Sequence, residues 1–549
     1  MAFKKDKQTP SAYSYRLLIK DLLRFPLVFS GDQEIVYRDR IRYTYAVFAQ
    51  RIARLANLLT LIGVKPGDTV AMMDWDSHRY LECYFAVPMM GAVLHTVNIR
   101  LSPDQVVYTI NHAEDDVILV NTDFLPMIES VKDRFETDKK IILLSDAAPH
   151  PSSDLMIHGE YEDLLEKSGD RFDFPDFDEN TVATVFYTTG TTGRPKGVYF
   201  SHRQLMLHIF GLISGLSGYK SQFTVQSDDV YMPMTPMFHV HAWGLPYMMT
   251  ALGAKQVYPG KYDPEILLKL VGLEKVTFSH CVPTILHMLL NSPLINEIDV
   301  SGWKMVIGGS SLSKGLCRAA MERGINLVTG YGLSETCPVM TLALLKPHML
   351  NWSMDEQIEV RCRTGLPTPL VHVEIVDPVG NPLPHDGLSV GEVVVRSPWL
   401  TQGYLKEPQL SEKLWRDGWL RTGDIGSFTE DEYLQVTDRI NDVIKTGGEW
   451  VSSLELEDII SQHEAVSEAA VIGVPDDKWE ERPMVLVVLK EAYREKVDEN
   501  ELRAFFVQAA EKGRIARYAV PHKILIVDVI SKTSVGKLNK RSLRNQMGM

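Results

Sequence analysis

At 549 residues the chain exceeds the usual span of one hydrophobic core, about 100–250 residues, and implies at least two domains. Hydrophobic residues at 45% and charged residues at 23% are the proportions of a soluble globular protein, which excludes a disordered or fibrous chain. A net charge of −14 provides no general basic field for nucleic acid or an anionic membrane, so an anionic ligand must be met by local groups.

The opening MAFKKDKQTPSAYSYR holds no apolar run of the kind a secretory signal requires. Thr44 followed by Phe48, Ile52, Leu55 and Leu59 has helical spacing, and Gly63 with VKPGD marks the stop before a strand at TVAMMD. The strand ATVFY leads into YTTGTTGRPKG, residues 187–197, and the pattern predicts that this loop enters the helix SHRQLMLHIFGL. Val230 to Ala254 carries no Lys, Arg, Asp or Glu, but Pro233, Pro236, Pro246, His239 and His241 make it the wall of a buried site and not a membrane span. Next come KVTFSH before PTILHMLL, WKMVIGG before LSKGLCRAAMERG, and INLVTG. Strands alternating with helices predict a mostly parallel sheet covered on both faces, with ligands at the carboxyl ends of its strands.

From about residue 367 short β segments (VHVEIVDPVGNPL, VGEVVVRS, YLQVTDR) predict a smaller β-rich subdomain. After them come the amphipathic SSLELEDIISQH, strands at EAAVIGV and PMVLVVL, the helix ELRAFFVQAAEKG, a strand at KILIVDV and a basic tail. The expected architecture is α/β: a large N-terminal domain, residues 1–437, of parallel-rich sheets with flanking helices plus the β-rich subdomain, and a small α+β C-terminal domain, residues 438–549. Five scattered cysteines (Cys83, Cys281, Cys317, Cys337 and Cys362), with no CxxC pair, argue against a disulfide framework or a zinc site and fit reduced thiols in cytoplasm.

Taken alone, a Gly/Thr-rich stretch reads as a linker. Between a strand and a helix, its glycines permit tight turns, successive N–H groups can form an anion nest, and Thr hydroxyls and Lys196 add donors. Lys196 is followed by Gly197, so the GxxxxGK[ST] phosphate loop is not present, nor is a GxGxxG fingerprint.

YTTGTTGRPKG, YGLSETCP, WLRTGDIG, DRINDVIKTGGEWVS and TSVGKLNK, in this order and spacing, resemble the adenylate-forming superfamily of acyl-CoA synthetases, adenylation domains and luciferases. PMFHVHAWGLPY resembles the medium- and long-chain fatty acyl-CoA synthetase branch. The resemblance implies an AMP-forming acid:CoA ligase that uses ATP, Mg²⁺ and CoA, passes through acyl-AMP, and has a mobile C-terminal domain. An enzyme loading a carrier-protein thiol is the alternative. The resemblance also allows a homodimer, and it leaves medium-chain, long-chain, alicyclic and aryl acids open.

Residue by residue, it implies that Thr188, Thr189, Gly190, Thr191, Thr192 and Lys196 hold phosphates, with Thr188 and Glu335 as Mg²⁺ ligands. Gly309, Ser310, Gly330, Gly332 and Ser334 are nucleotide-binding with Tyr331 against adenine, although Gly308 to Ser310 at a strand end equally suit an ordinary turn, while Asp424 offers two acceptor oxygens to the ribose diol with Arg439 beside it. Lys537 is the ammonium that bridges carboxylate and α-phosphate. His239, Trp243, Gly308 and Gly309 shape the acyl pocket, with His239 near the substrate carboxylate; an apolar run around a histidine equally suits a core residue. Lys445, Gly447, Gly448, Glu449 and Trp450 line a CoA tunnel, and Asn441 is the hinge, where the family usually has Asp or Lys.

Overall fold

The computed structural model describes residues 9–147, 152–188, 194–219, 221, 223–440, 442–446, 449–476, 478–494, 496–532 and 538–547, with the backbone alone for Glu449 and Trp450. Among them the chain builds four sheets. A seven-stranded sheet runs through Ile157–Glu160, Lys140–Leu144, Asp115–Asn121, Thr69–Met73, Val93–Thr96, Val182–Thr188 and Lys196–Ser201. All its pairings are parallel except the last. A nine-stranded sheet runs through Leu366–Pro367, Val339–Leu342, Asn326–Gly332, Lys304–Gly308, Phe278–Cys281, Val230–Met234, Lys255–Tyr258, Glu34–Tyr37 and Ile41–Thr44, parallel through its middle.

The helix His78–Met89 lies between these sheets, and every one of its residues is buried. Buried strands account for the near-continuous apolar runs in the sequence, since a parallel sheet covered on both faces has no polar side to alternate with. The first helix read from periodicity spans Tyr45–Leu61; the Thr44 hydroxyl accepts the Val47 N–H at its start, a cap of about 1 kcal/mol.

The helix expected directly after residues 187–197 is preceded by a strand. Lys196–Ser201 is a strand antiparallel to Val182–Thr188, and the helix begins only at His202. Gly197, Val198, Phe200 and Ser201 are all buried and only Lys196 and Tyr199 are half-buried, so this strand is covered over most of its length. Ser201 and Gln204 open that helix with a capping box, the Ser201 hydroxyl accepting the Gln204 N–H and the Gln204 side chain accepting the Ser201 N–H.

The β-rich part is a five-stranded antiparallel sheet of His372–Val376, Gly391–Arg396, Trp415–Arg416, Trp419–Phe428 and Leu434–Arg439. The expected boundary at 437/438 falls inside its last strand. Beyond it, Ile444–Thr446, Glu449–Val451, Val466–Asp476, Glu480–Leu489 and Lys523–Ile526 form a separate sheet. Val471 and Val485 face one small core with Leu456 and Phe506, while Ile472 and Leu486 face another with Leu543, so this sheet is covered on both sides. No helix among the described residues is long and apolar enough to cross a membrane.

Candidate active site

The strand ends bring together residues that lie far apart in sequence. Thr188 and Lys196 are directly paired across the hairpin that frames residues 189–193, which places a hydroxyl and an ammonium at the base of one loop. Residues 189–193, and with them Thr189, Gly190, Thr191 and Thr192, lie outside the described residues.

Tyr331 closes the strand Asn326–Gly332, and its hydroxyl donates to Asp424 Oδ2 at 2.6 Å. Arg439 faces Asp424 as its register partner on the neighbouring strand, with Nε 3.2 Å from Oδ1. Asp424 is only 3% exposed, so its charge is met by partners and not by water. Burial, followed by the Asp424 charge, pushes the Tyr331 hydroxyl well above its ordinary range and keeps it a donor.

Gly332 permits the turn that follows. A Cβ there would collide with the Pro338 carbonyl, which folds back over it. The turn Ser334–Thr336 then presents Glu335, whose Oε1 accepts the Tyr404 hydroxyl at 2.7 Å, while the Lys196 ammonium lies 4.9 Å from the centre of the Tyr404 ring. Sequence reasoning passed over Tyr404 because TQGYLKEP has neither helical nor strand periodicity; the aromatic after a glycine was the one available signal.

A narrow cavity between these elements is lined by His239, Val240, Trp243, Gly309, Gly330, Tyr331, Gly332 and Ser334, among others. It joins the residues expected to meet adenine with those expected to meet the acyl group. Ser310 is exposed. At Gly308 a Cβ would come within 2.7 Å of the Gly330 carbonyl and 2.9 Å of the Trp243 ring, so the indole lies flush against backbone.

Val240, His241, Ala242, Trp243 and Gly244 all have positive φ, from +47° to +75°, a left-handed turn that costs about 1–2 kcal/mol for each non-glycine residue. The segment before it is held by two side chains: Asp76 Oδ1 accepts the Met237 N–H at 2.9 Å, and Thr96 Oγ1 donates to the Phe238 carbonyl at 3.0 Å. His241, inside the turn, is fully buried, and burial lowers it to about 3, so it stays neutral. Strain that persists beside a cavity needs such bracing.

The CoA candidates fall on the hairpin Ile444–Thr446 and Glu449–Val451. Lys445 is exposed there, and its backbone N–H donates to Glu481 Oε2 at 3.0 Å. Gly447, Gly448, the hinge Asn441 and Lys537 lie outside the described residues, as do the side chains of Glu449 and Trp450.

Among the described residues no cluster of three or more His, Cys, Asp or Glu could hold a metal alone. One carboxylate and one hydroxyl, Glu335 and Thr188, suit Mg²⁺, a hard cation that keeps several waters and is held largely by substrate phosphates.

The description "AMP-binding enzyme" matches residues 28–405, and "AMP-binding enzyme C-terminal domain" matches residues 455–537. A long-chain-fatty-acid–CoA ligase of Thermus thermophilus is 38% identical over 540 residues, covering 96% of this chain and 95% of that one. A 3-methylmercaptopropionyl-CoA ligase of Ruegeria lacuscaerulensis is 36% identical over 537 residues, covering 96% and 97%. The crystal structure of the anthranilate CoA ligase AuaEII in complex with anthranoyl-AMP has the same fold, with a TM-score of 0.84 at 23% identity over 96% of this chain and 97% of that one.

Proposed function

The chain belongs to the AMP-binding enzymes and is an AMP-forming acid:CoA ligase using ATP, Mg²⁺ and CoA, and from that premise we propose how its residues divide the work. The observation that carries the division is the meeting of three sheets at one point: Tyr331 with Asp424, and Glu335 with Tyr404 and Lys196.

In the first half-reaction an oxygen of the substrate carboxylate attacks the α-phosphorus of ATP, the bond to the β-phosphate breaks, and pyrophosphate leaves. Two anions must approach, so the chain's task is to place cations and N–H donors beforehand. Lys196 and the loop it closes hold the β- and γ-phosphates. Asp424 accepts the ribose hydroxyls, exchanging its present donors for them, and Tyr331 flanks adenine with Gly309, Ser310, Gly330, Gly332 and Ser334. Glu335 and Thr188 hold Mg²⁺, which neutralises phosphate charge when bound. Lys537 bridges carboxylate and α-phosphate.

In the second half-reaction the CoA thiol attacks the acyl carbon and AMP leaves. The expected domain 438–549 begins inside the strand Leu434–Arg439, so we assign the part beyond Asn441 as the body that reorients about that residue between the two steps, exchanging Lys537 for the Lys445–Trp450 hairpin. His239, Trp243, Gly308 and Gly309 border the acyl group, which we take to be a fatty or similarly apolar acid because the surrounding wall is uncharged from Val230 to Ala254. The carrier-protein alternative is not favoured, since the relatives are CoA ligases. Buried, unpaired Cys83, Cys281, Cys317 and Cys337 support a cytoplasmic location, and light scattering distinguishes a homodimer from a monomer.

The test is pyrophosphate exchange into ATP across a panel of medium-chain, long-chain, alicyclic and aryl acids, followed by CoA consumption. Exchange is expected only with acid and without need of CoA, with AMP as the nucleotide product. Formation of ADP, or exchange independent of acid, overturns the reading.

A further inference from the structure

We propose that Tyr404 is a positioning residue that locks the two halves of the phosphate site in register, its hydroxyl orienting the Glu335 carboxylate and its ring seating the Lys196 ammonium. The proposal rests on the roles given above to Glu335 and Lys196.

Glu335 and Lys196 come from different sheets, and the segment 401–405 is fastened to both. The Thr401 N–H donates to the Glu335 carbonyl at 3.0 Å, and Thr401 Oγ1 donates to the Tyr199 carbonyl at 3.0 Å. The Leu405 N–H donates to the Gly197 carbonyl at 2.8 Å, and Tyr404 itself forms a β-bridge with Val198. The backbone of Tyr404 is therefore tied to the strand that carries Lys196, while its side chain crosses to Glu335.

Both contacts then follow from one ring. The hydroxyl lies 2.7 Å from Glu335 Oε1, and the ring centre lies 4.9 Å from Lys196 Nζ. Burial, and then the Glu335 charge, push the Tyr404 hydroxyl above its ordinary range, so it remains a donor at working pH. A carboxylate has about four lone-pair positions. One hydroxyl fixes its plane and leaves the others for a hard cation, as partners of metal ligands generally do. The ring face also attracts an ammonium without neutralising it, leaving the full charge for phosphate. Phenylalanine would supply the second contact and not the first; leucine would supply neither.

The experiment is calorimetric ATP binding, without acid or CoA, in the presence and absence of Mg²⁺, for the wild type, Tyr404→Phe, Tyr404→Leu, Glu335→Gln and the Phe/Gln double variant. Tyr404→Phe is expected to shrink the Mg²⁺-dependent gain in ATP affinity about fivefold while leaving metal-free affinity unchanged, and to add nothing in the Glu335→Gln background. Tyr404→Leu is expected to weaken metal-free binding as well. A full Mg²⁺ gain in Tyr404→Phe, with the gain lost in Glu335→Gln, overturns the role of Tyr404 alone. A full gain in Glu335→Gln overturns the underlying assignment of Glu335.

Discussion

The Tyr331 hydroxyl and Asp424 Oδ2 stand 2.6 Å apart, joining the strand Asn326–Gly332 of the nine-stranded sheet to the β-rich subdomain. With Arg439 on its other oxygen, Asp424 is a buried acceptor already satisfied by two donors. In the proposed ribose role, a vicinal diol would take the place of these donors, so that nucleotide entry would exchange hydrogen bonds at Asp424. Asp424→Asn keeps the shape but loses charge-assisted acceptance, worth about 1.5–3 kcal/mol per bond. The expected result is a 10- to 100-fold fall in kcat/KM for ATP with little change in KM for CoA, measured by steady-state kinetics.

Gly332→Ala tests the turn that presents Glu335. A methyl group there collides with the Pro338 carbonyl, and backbone has no rotamer with which to yield. ATP binding measured by calorimetry should be lost in this variant, while far-UV circular dichroism stays near wild type.

Asp76 gives a pH-dependent signature. Burial raises its carboxyl to about 7, against the Tyr262 hydroxyl, the Met237 N–H and Arg100, which favour the charged form, and with Asp74 adding to the rise. Its folded pKa lies above the unfolded value, so the stability it contributes is full below about pH 4 and is lost as pH rises through about 7. Asp76→Asn removes that loss. Denaturant unfolding should show the variant gaining on wild type from pH 4 to 7, by a total on the order of a few kcal/mol, and holding that gain above pH 7. A pH-independent difference would contradict it.

Lys540 anchors the C-terminal helix Lys540–Gln546 to the domain junction. Its ammonium lies 2.8 Å from Glu457 Oε1 and donates to the Ser453 hydroxyl, and the Ser453 N–H donates to Asp438 Oδ2 at 2.8 Å. Although burial opposes it, the Glu457 and Asp438 charges hold this ammonium above its ordinary range. Lys540→Met strands two buried carboxylates and should destabilise this region by about 3–5 kcal/mol. Adding Glu457→Gln should restore part of the loss. Amide exchange in the helix Ser453–Ser461 reads the effect directly.

Much of this was legible in the sequence because burial writes periodicity. Phe48, Ile52, Leu55 and Leu59 announce a helix, and the apolar runs at TVAMM and KMVIG announce buried strands. The hairpin strand Lys196–Ser201 was hidden by the helix-start signal that directly follows it. The left-handed turn from Val240 to Gly244 was not legible, because four of its residues disfavour positive φ and are held there by tertiary contacts such as Asp76 with Met237. Tyr404 and Asp76 act through partners 69 and 161 residues away, which no local pattern records. The final helix read as a basic tail because Lys540 and Leu543 are its only buried residues.

The most direct measurement of the account is Lys537→Ala assayed in each half-reaction. Acid-dependent pyrophosphate exchange should fall on the order of 10²- to 10³-fold, while supplied acyl-adenylate is still converted to the CoA thioester. Exchange at the wild-type rate would contradict the account and remove Lys537 from the chemistry.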